Sequence, residues 1–149
     1  MFTFERSTGG EPGGYEGKNL IDDDHVSEWH CPNKGEDDRW FVEFKANRPI
    51  SPTSYYFITG NDSYEHWDRT PQCWALYGKQ NKDDRWTELS HLDRLYNGDE
   101  AAVPGANRQK SAVFRFNMYK PENMQYFRLE IIRNFGSTAV QLNELVFNY

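Results

Sequence analysis

The sequence predicts an all-β fold, an antiparallel β-sandwich or jelly roll. Three observations predict it: apolar and polar residues alternate with a period of two, turn chemistry separates the alternating runs, and helical periodicity is scarce.

Taken in order, residues 39–45 place Trp40, Val42 and Phe44 on one face and Phe41, Glu43 and Lys45 on the other. Residues 54–59 follow with Tyr55, Tyr56, Phe57 and Ile58, then 73–77 and 112–116. In 126–133, Phe127, Leu129 and Ile131 are in phase, and the last run covers 139–147. Between these runs sit Pro49-Ile50-Ser51-Pro52, Gly60-Asn61-Asp62, Asn97-Gly98-Asp99, Pro104-Gly105 and Phe135-Gly136-Ser137, all turn-forming combinations. Leu89, Leu92 and Leu95 have the spacing of one or two helical turns after Trp86, ended by Asn97-Gly98. Two long loops, 61–72 and 97–110, are the natural places for function on a rigid β scaffold. The final run breaks phase, since Val140 and Leu142 share one parity and Leu145 and Phe147 the other. Either a β-bulge near Asn143 and Glu144 or a register change at a strand end restores one buried face.

The chain has 149 residues, a length suited to one domain, and five Trp, nine Tyr and ten Phe supply bulk for its core. It begins inside what reads as a strand, as a domain cut from a longer protein would. The first residues are not a signal peptide, and no apolar run approaches the roughly 20 residues that span a bilayer. A net charge of −6 argues against nucleic acid as a partner and against membrane insertion. Cys31 and Cys73 read as two buried thiols in preference to a disulfide, which spacing alone cannot establish. No nucleophile elbow, zinc-protease helix or phosphate loop is present, so the reading is a binding module and not an enzyme.

Candidate ligand contacts fall in two loops. In the first, Tyr64, His66 and Trp67 combine flat ring faces with polar edges, flanked by Arg69, and a lid over the end of the sandwich is the alternative for these aromatics. Pyranose sugars offer apolar C–H faces rimmed by hydroxyls, and need an aromatic platform with a few hydrogen-bonding groups. The second is Asn134 and Phe135, at the turn before the last run. Residues 22–28 hold four carboxylates, Asp22, Asp23, Asp24 and Glu28, on an irregular stretch. Hard oxygen donors of this kind suit Ca²⁺, and a solvated acidic turn is the alternative. The pattern is not that of an EF-hand, and His25, His30 and Cys31 match no zinc spacing.

Seven segments in order carry a resemblance. They are Asn-Leu-Ile-Asp-x-Asp-x-x-Ser-x-Trp at 19–29, Trp-Phe-Val-Glu-Phe at 40–44, Thr-Gly-Asn-Asp-Ser at 59–63 and Arg-x-Pro-x-x-Trp-x-Leu-Tyr-Gly at 69–78. Trp-Thr-Glu-Leu at 86–89, Tyr-Phe-Arg-Leu-Glu-Ile at 126–131 and Gln-Leu-Asn-Glu-Leu-Val-Phe at 141–147 complete them. Together they resemble the coagulation factor 5/8 C-type, or discoidin, domain, in wording closest to its bacterial carbohydrate-binding members. The resemblance covers the chain from about Tyr15 and implies a single galactose-binding-like jelly roll of about eight strands over 1–149, working outside the cell or at its surface. It implies a glycan, galactose-type or related, held by loops at one end, with a protein-recognition or adhesion module as the alternative. It also implies a structural Ca²⁺ at positions matching Asp22, Asp24, Ser27 and Glu144, which would give a bulge at Glu144 a purpose. Two departures bear on this. Asp23 stands where relatives usually have glycine, and Arg-Thr-Pro stands in place of Arg-Asp-Pro at 69–71.

Overall fold

The computed structural model describes residues 1–9, 14–24, 26–60, 65–93, 113–119 and 122–149. Ten strands run through them: β1 (Phe2–Ser7), β2 (Trp29–Cys31), β3 (Trp40–Ile50), β4 (Ser54–Ile58), β5 (Pro71–Lys79), β6 (Thr87–Asp93), β7 (Val113–Asn117), β8 (Met124–Asn134), β9 (Val140–Leu142) and β10 (Glu144–Asn148). Short 3₁₀ turns occupy Gly17–Ile21, Glu36–Asp38 and Trp67–Arg69. The count exceeds the expected eight because β2 and β9 are three-residue pieces that pair with each other.

All pairings are antiparallel. One sheet has the order β1-β3-β8-β5-β6, the second β10-β4-β7, and the third is β2-β9. The alternation read from the sequence sets which face is buried. Val42, Phe44, Trp74, Leu76, Phe127, Leu129 and Ile131 of the large sheet meet Tyr55, Phe57, Phe116, Leu145 and Phe147 of the second in one core. Rings make the inter-sheet contacts: Phe57 lies 5.2 Å from Trp74, Phe116 lies 4.9 Å from Trp74, and Phe127 lies 4.8 Å from Phe147. Cys31 and Cys73 are both free and buried. No helix among the described residues is long and apolar enough to cross a membrane.

One expectation is corrected, and one open alternative is decided. Leu89 and Leu92 are not helical but lie in β6. Across from them Tyr77 pairs with Glu88 while Leu76 pairs with Ser90, so Leu89 is the extra residue of a β-bulge. Leu89 is buried and Leu92 packs against the core, although three positions separate them. A bulge in a strand thus produces the same spacing as a helical turn. Leu95 and the 97–110 loop lie outside the described residues. The phase break in the last run is real, but its cause is a change of sheet and not a bulge. Leu142 pairs with Trp29, Glu144 pairs with Ile58, and Asn143 between them donates its N–H to the Ile58 carbonyl at 2.9 Å.

The core holds one polar junction. Trp74 Nε1 donates to the Tyr55 hydroxyl at 2.9 Å, and that hydroxyl meets Ser90 Oγ at 2.9 Å, tying β4 to β5 and β6. Burial pushes the Tyr55 phenol up to about 12, so it stays protonated. Tyr55→Phe removes the acceptor of a buried indole N–H. It is expected to lower stability by about 1–3 kcal/mol. Urea denaturation of the variant against wild type reads this directly, and an unchanged midpoint would contradict it.

Candidate functional site

Strand pairing brings the two candidate loops together. Pro71 opens β5 and sits opposite Asn134, the last residue of β8. The segment before β5 and the turn after β8 therefore emerge side by side at one end of the large sheet. Before β5, the 3₁₀ turn Trp67–Arg69 is closed by Arg69 N–H to the His66 carbonyl at 3.0 Å and Thr70 N–H to the Trp67 carbonyl at 3.1 Å. Thr70 is forced extended ahead of Pro71 (φ −78°, ψ 142°), so the turn cannot lengthen into a helix.

After β8, Asn134 spends its whole carboxamide on the turn. Its Oδ1 accepts from Gly136 N–H at 3.0 Å and its Nδ2 donates to the Ala139 carbonyl at 2.6 Å. Gly136 has φ +119°, a conformation open to glycine and strained for any side chain. Ser137 Oγ accepts from Ala139 N–H at 3.1 Å, and Ser137 N–H reaches the Asp68 carbonyl at 3.4 Å, joining the two loops.

Within this frame Trp67 and Phe135 meet, ring centroids 5.6 Å apart and planes inclined by 57°. Both are half-buried, as are His66, Asp68 and Arg69 beside them, while Glu65 is exposed. The result is an angled aromatic corner rimmed by polar groups. Of the residues singled out in the sequence, Trp67, Phe135, His66 and Arg69 are brought together, and Tyr64 lies outside the described residues. Asn134 is buried (6% exposed), and its carboxamide holds the turn that presents Phe135.

Arg69 donates from Nη1 to Gln141 Oε1 at 3.3 Å, so it also braces β9. Gln141 was not anticipated, because nothing local marks it and only the fold brings it near Arg69. Gly60, just past β4, is its counterpart: a Cβ there would lie 1.9 Å from Gln141 Nε2. The glycine is needed for that close approach.

The acidic segment lies elsewhere. Asp22 follows the 3₁₀ turn Gly17–Ile21, and its Oδ1 accepts from Asp24 N–H at 2.9 Å. Ser27 Oγ lies 2.7 Å from Asp22 Oδ2 and 3.1 Å from the Asp24 carbonyl, and Asp24 Oδ1 accepts from Val26 N–H at 3.0 Å. Asp23 keeps the tight turn that glycine would supply, with φ +63°, a region aspartate tolerates better than most residues.

Glu144, the first residue of β10, reaches this loop from 121 positions away, its Oε1 accepting from Asp23 N–H at 3.4 Å. Its side chain is almost fully buried, and Oε2 has no hydrogen-bond partner. Burial first, and then the neighbouring Asp22 carboxylate, push Glu144 up to about 9. Among the described residues no three His, Cys, Asp or Glu side chains converge as a ready metal cluster. The donor set at hand is carboxylate, hydroxyl and backbone carbonyl oxygen, all hard ligands. An orphaned buried carboxylate oxygen beside a second carboxylate fits a cation of that class.

Comparison with known proteins gives no matching family model and no matching curated protein. Solved structures do match. A family 32 carbohydrate-binding module, CBM32-3 of a family 31 glycoside hydrolase from Clostridium perfringens, superposes with a TM-score of 0.76 at 18% identity, over 98% of this chain and 89% of that one. The fifth such module of the same organism's family 89 enzyme, in complex with GalNAc-β-1,3-galactose, matches at 0.73 and 10% identity, over 99% and 95%. The module of C. perfringens NanJ, in complex with galactose, matches at 0.68 and 12% identity, over 98% and 92%. The chain has the discoidin, galactose-binding-like β-sandwich fold that these modules share.

Proposed function

We propose that this chain is a non-catalytic carbohydrate-binding module that holds a galactose-type or related sugar against Trp67 and Phe135. The observation that carries the reading is the aromatic corner: two loops distant in sequence deliver their rings to one place, and both are braced from behind. A pyranose C–H face stacks on one ring while the second flanks its edge, and His66, Asp68 and Arg69 stand within the same rim for the hydroxyls. The galactose and GalNAc-galactose complexes of structural neighbours support this choice of ligand. A small polar-rimmed corner favours it over the protein-recognition alternative, which needs a surface of roughly 800 Å² per partner. By the same resemblance the module works outside the cell or at its surface.

The second part of the reading is a structural Ca²⁺. Glu144 and Asp22 would hold it, with Asp24 and Ser27 and backbone carbonyls of the same loop supplying further oxygens. The ion supplies only charge compensation there, letting two adjacent carboxylates coexist where the loop meets β10. What supports it is the unpartnered Glu144 Oε2.

Two measurements test these readings. Trp67→Ala and Phe135→Ala are each expected to weaken glycan binding at least tenfold, about 1.4 kcal/mol. Folding stability should fall by less than the roughly 3–5 kcal/mol of removing a fully buried ring, since both rings are half-buried and Phe135 packs only against the edge of the core. A glycan array and calorimetry on folded wild-type protein check this, and a blank array would count decisively against sugar binding. For the cation, saturating Ca²⁺ at about one hundred times its Kd should add roughly 2.7 kcal/mol. Chelator should remove that gain, and Glu144→Gln should lack it. A blank metal analysis with a melting temperature indifferent to chelator would retire the calcium site.

A further inference from the structure

The outer face of the large sheet, turned away from the core, carries a second concentration of rings and charge. Because Phe44, Phe127 and Gly78 form an inward rung, the next rung, Lys45, Tyr126 and Lys79, points outward across β3, β8 and β5. Both lysines lean on the tyrosine, Lys45 Nζ at 5.2 Å and Lys79 Nζ at 5.9 Å from its ring centroid. Lys79 also lies 4.2 Å over the Trp86 ring and donates to the Lys82 carbonyl at 2.6 Å. Its ammonium is thus fixed between two aromatic faces with hydrogens to spare.

Tyr126, Lys79, Lys82 and Trp86 border a cleft of about 220 Å³, lined also by Glu5, Arg6 and Glu43. Two carboxylates face its three cations, but they are not equivalent. Glu43 Oε2 accepts from Arg128 Nη1 at 3.2 Å and from Arg6 Nε, so its charge is neutralised twice over. Glu5, the extra residue of a bulge in β1, is exposed and also lines the cleft, so two carboxylates stand against the three cations Arg6, Lys79 and Lys82. The cleft is therefore locally cationic on a chain whose net charge is −6.

We propose that this cleft is a second ligand site, taking one acidic sugar unit of a polysaccharide, with its carboxylate or sulfate on Lys79 and its ring against Trp86 and Tyr126. The cleft is smaller than the roughly 300–1,000 Å³ of pockets for drug-sized ligands, which suits a single ring and excludes a folded partner. It is separate from the loop site. Trp67 and Phe135 stand at the Pro71 end of β5 and Lys79 at the other, about 26 Å away at roughly 3.3 Å per residue.

The test is calorimetry and Trp fluorescence of the full chain with oligogalacturonide, a neutral galacto-oligosaccharide and inorganic sulfate as probes. Oligogalacturonide is expected to bind, to perturb Trp fluorescence, and to weaken as salt rises. Lys79→Glu and Trp86→Ala should each reduce its affinity at least tenfold. Lys79→Glu alone decides the matter if Trp86→Ala fails to fold. No binding of oligogalacturonide overturns the proposal. So does loss in Phe135→Ala with Lys79→Glu unaffected, which would place the acidic sugar at the loop corner. Sulfate binding as tightly as the oligosaccharide, with Trp86→Ala unaffected, would reduce the cleft to a simple anion patch and also overturn it. Since the neutral probe reports the loop site, failure there and failure here are distinguishable.

Discussion

At Asn143 the chain leaves one sheet and enters another, and much of the functional end of the molecule depends on that step. The residue donates its backbone N–H to Ile58 as β9 gives way to β10. Upstream of the step, Ala139 takes the Asn134 amide and Gln141 takes the Arg69 guanidinium. Immediately after it, Glu144 turns beneath the acidic loop and accepts from Asp23. A span of six residues thus fixes both candidate sites relative to the core. The step costs the backbone little, because β9 stays paired with β2 up to Leu142, β10 pairs with β4 from Glu144, and the Asn143 N–H between them also reaches β4.

The loop corner follows from the same economy of constraint. Trp67 and Phe135 are held by backbone turns, by an Asx-type interaction of Asn134, and by one N–H to carbonyl contact between loops. Aromatic side chains have only two rotatable bonds, and here their backbones are already ordered. Ligand binding therefore costs less conformational entropy than it would on mobile loops. Asn134, Arg69, Gln141 and Gly60 matter as the supporting layer. Altering them would loosen the corner without removing any ring.

Much of the architecture was legible because one face of each long strand is buried, and burial writes a period of two into the sequence. Residues 40–44 and 127–131 show it plainly, and Trp40, Val42, Phe44, Phe127, Leu129 and Ile131 lie in the core as expected. Legibility failed where geometry departs from the regular pleat. The bulge at Leu89 mimics helical spacing, and the sheet change at Asn143 looks the same as a bulge when only parity is available. At the site, Trp67 and Phe135 could be nominated because exposed-loop aromatics near turn residues are chemically conspicuous. Gln141 could not, since a buried amide facing a distant arginine leaves no local trace. Asn134, a ligand candidate by its position, holds the turn through both ends of its carboxamide. An asparagine preceding Phe-Gly is as well suited to an Asx turn as to a sugar hydroxyl, and sequence does not separate the two.

The outer face of the large sheet shows how charge can be distributed so that one end remains available. Arg128 and Glu130 are nearly buried there, and a ladder of alternating partners runs from Arg39 through Glu130, Arg128 and Glu43 to Arg6. Phe41 lies under the ladder, with Arg128 3.9 Å and Arg6 4.9 Å from its ring centroid. Buried ions are costly unless paired, and each carboxylate in this ladder has two arginine partners. Every internal charge is thereby compensated, whereas the next rung, Lys45, Tyr126 and Lys79, contains no carboxylate. The residual positive field falls at the far end of β5 from the aromatic corner. A polymer engaging both ends would gain from effective concentration, which raises avidity without any new contact. A short oligosaccharide that cannot span the strand would see two independent sites, so the length of the glycan, and not only its composition, becomes a determinant of binding.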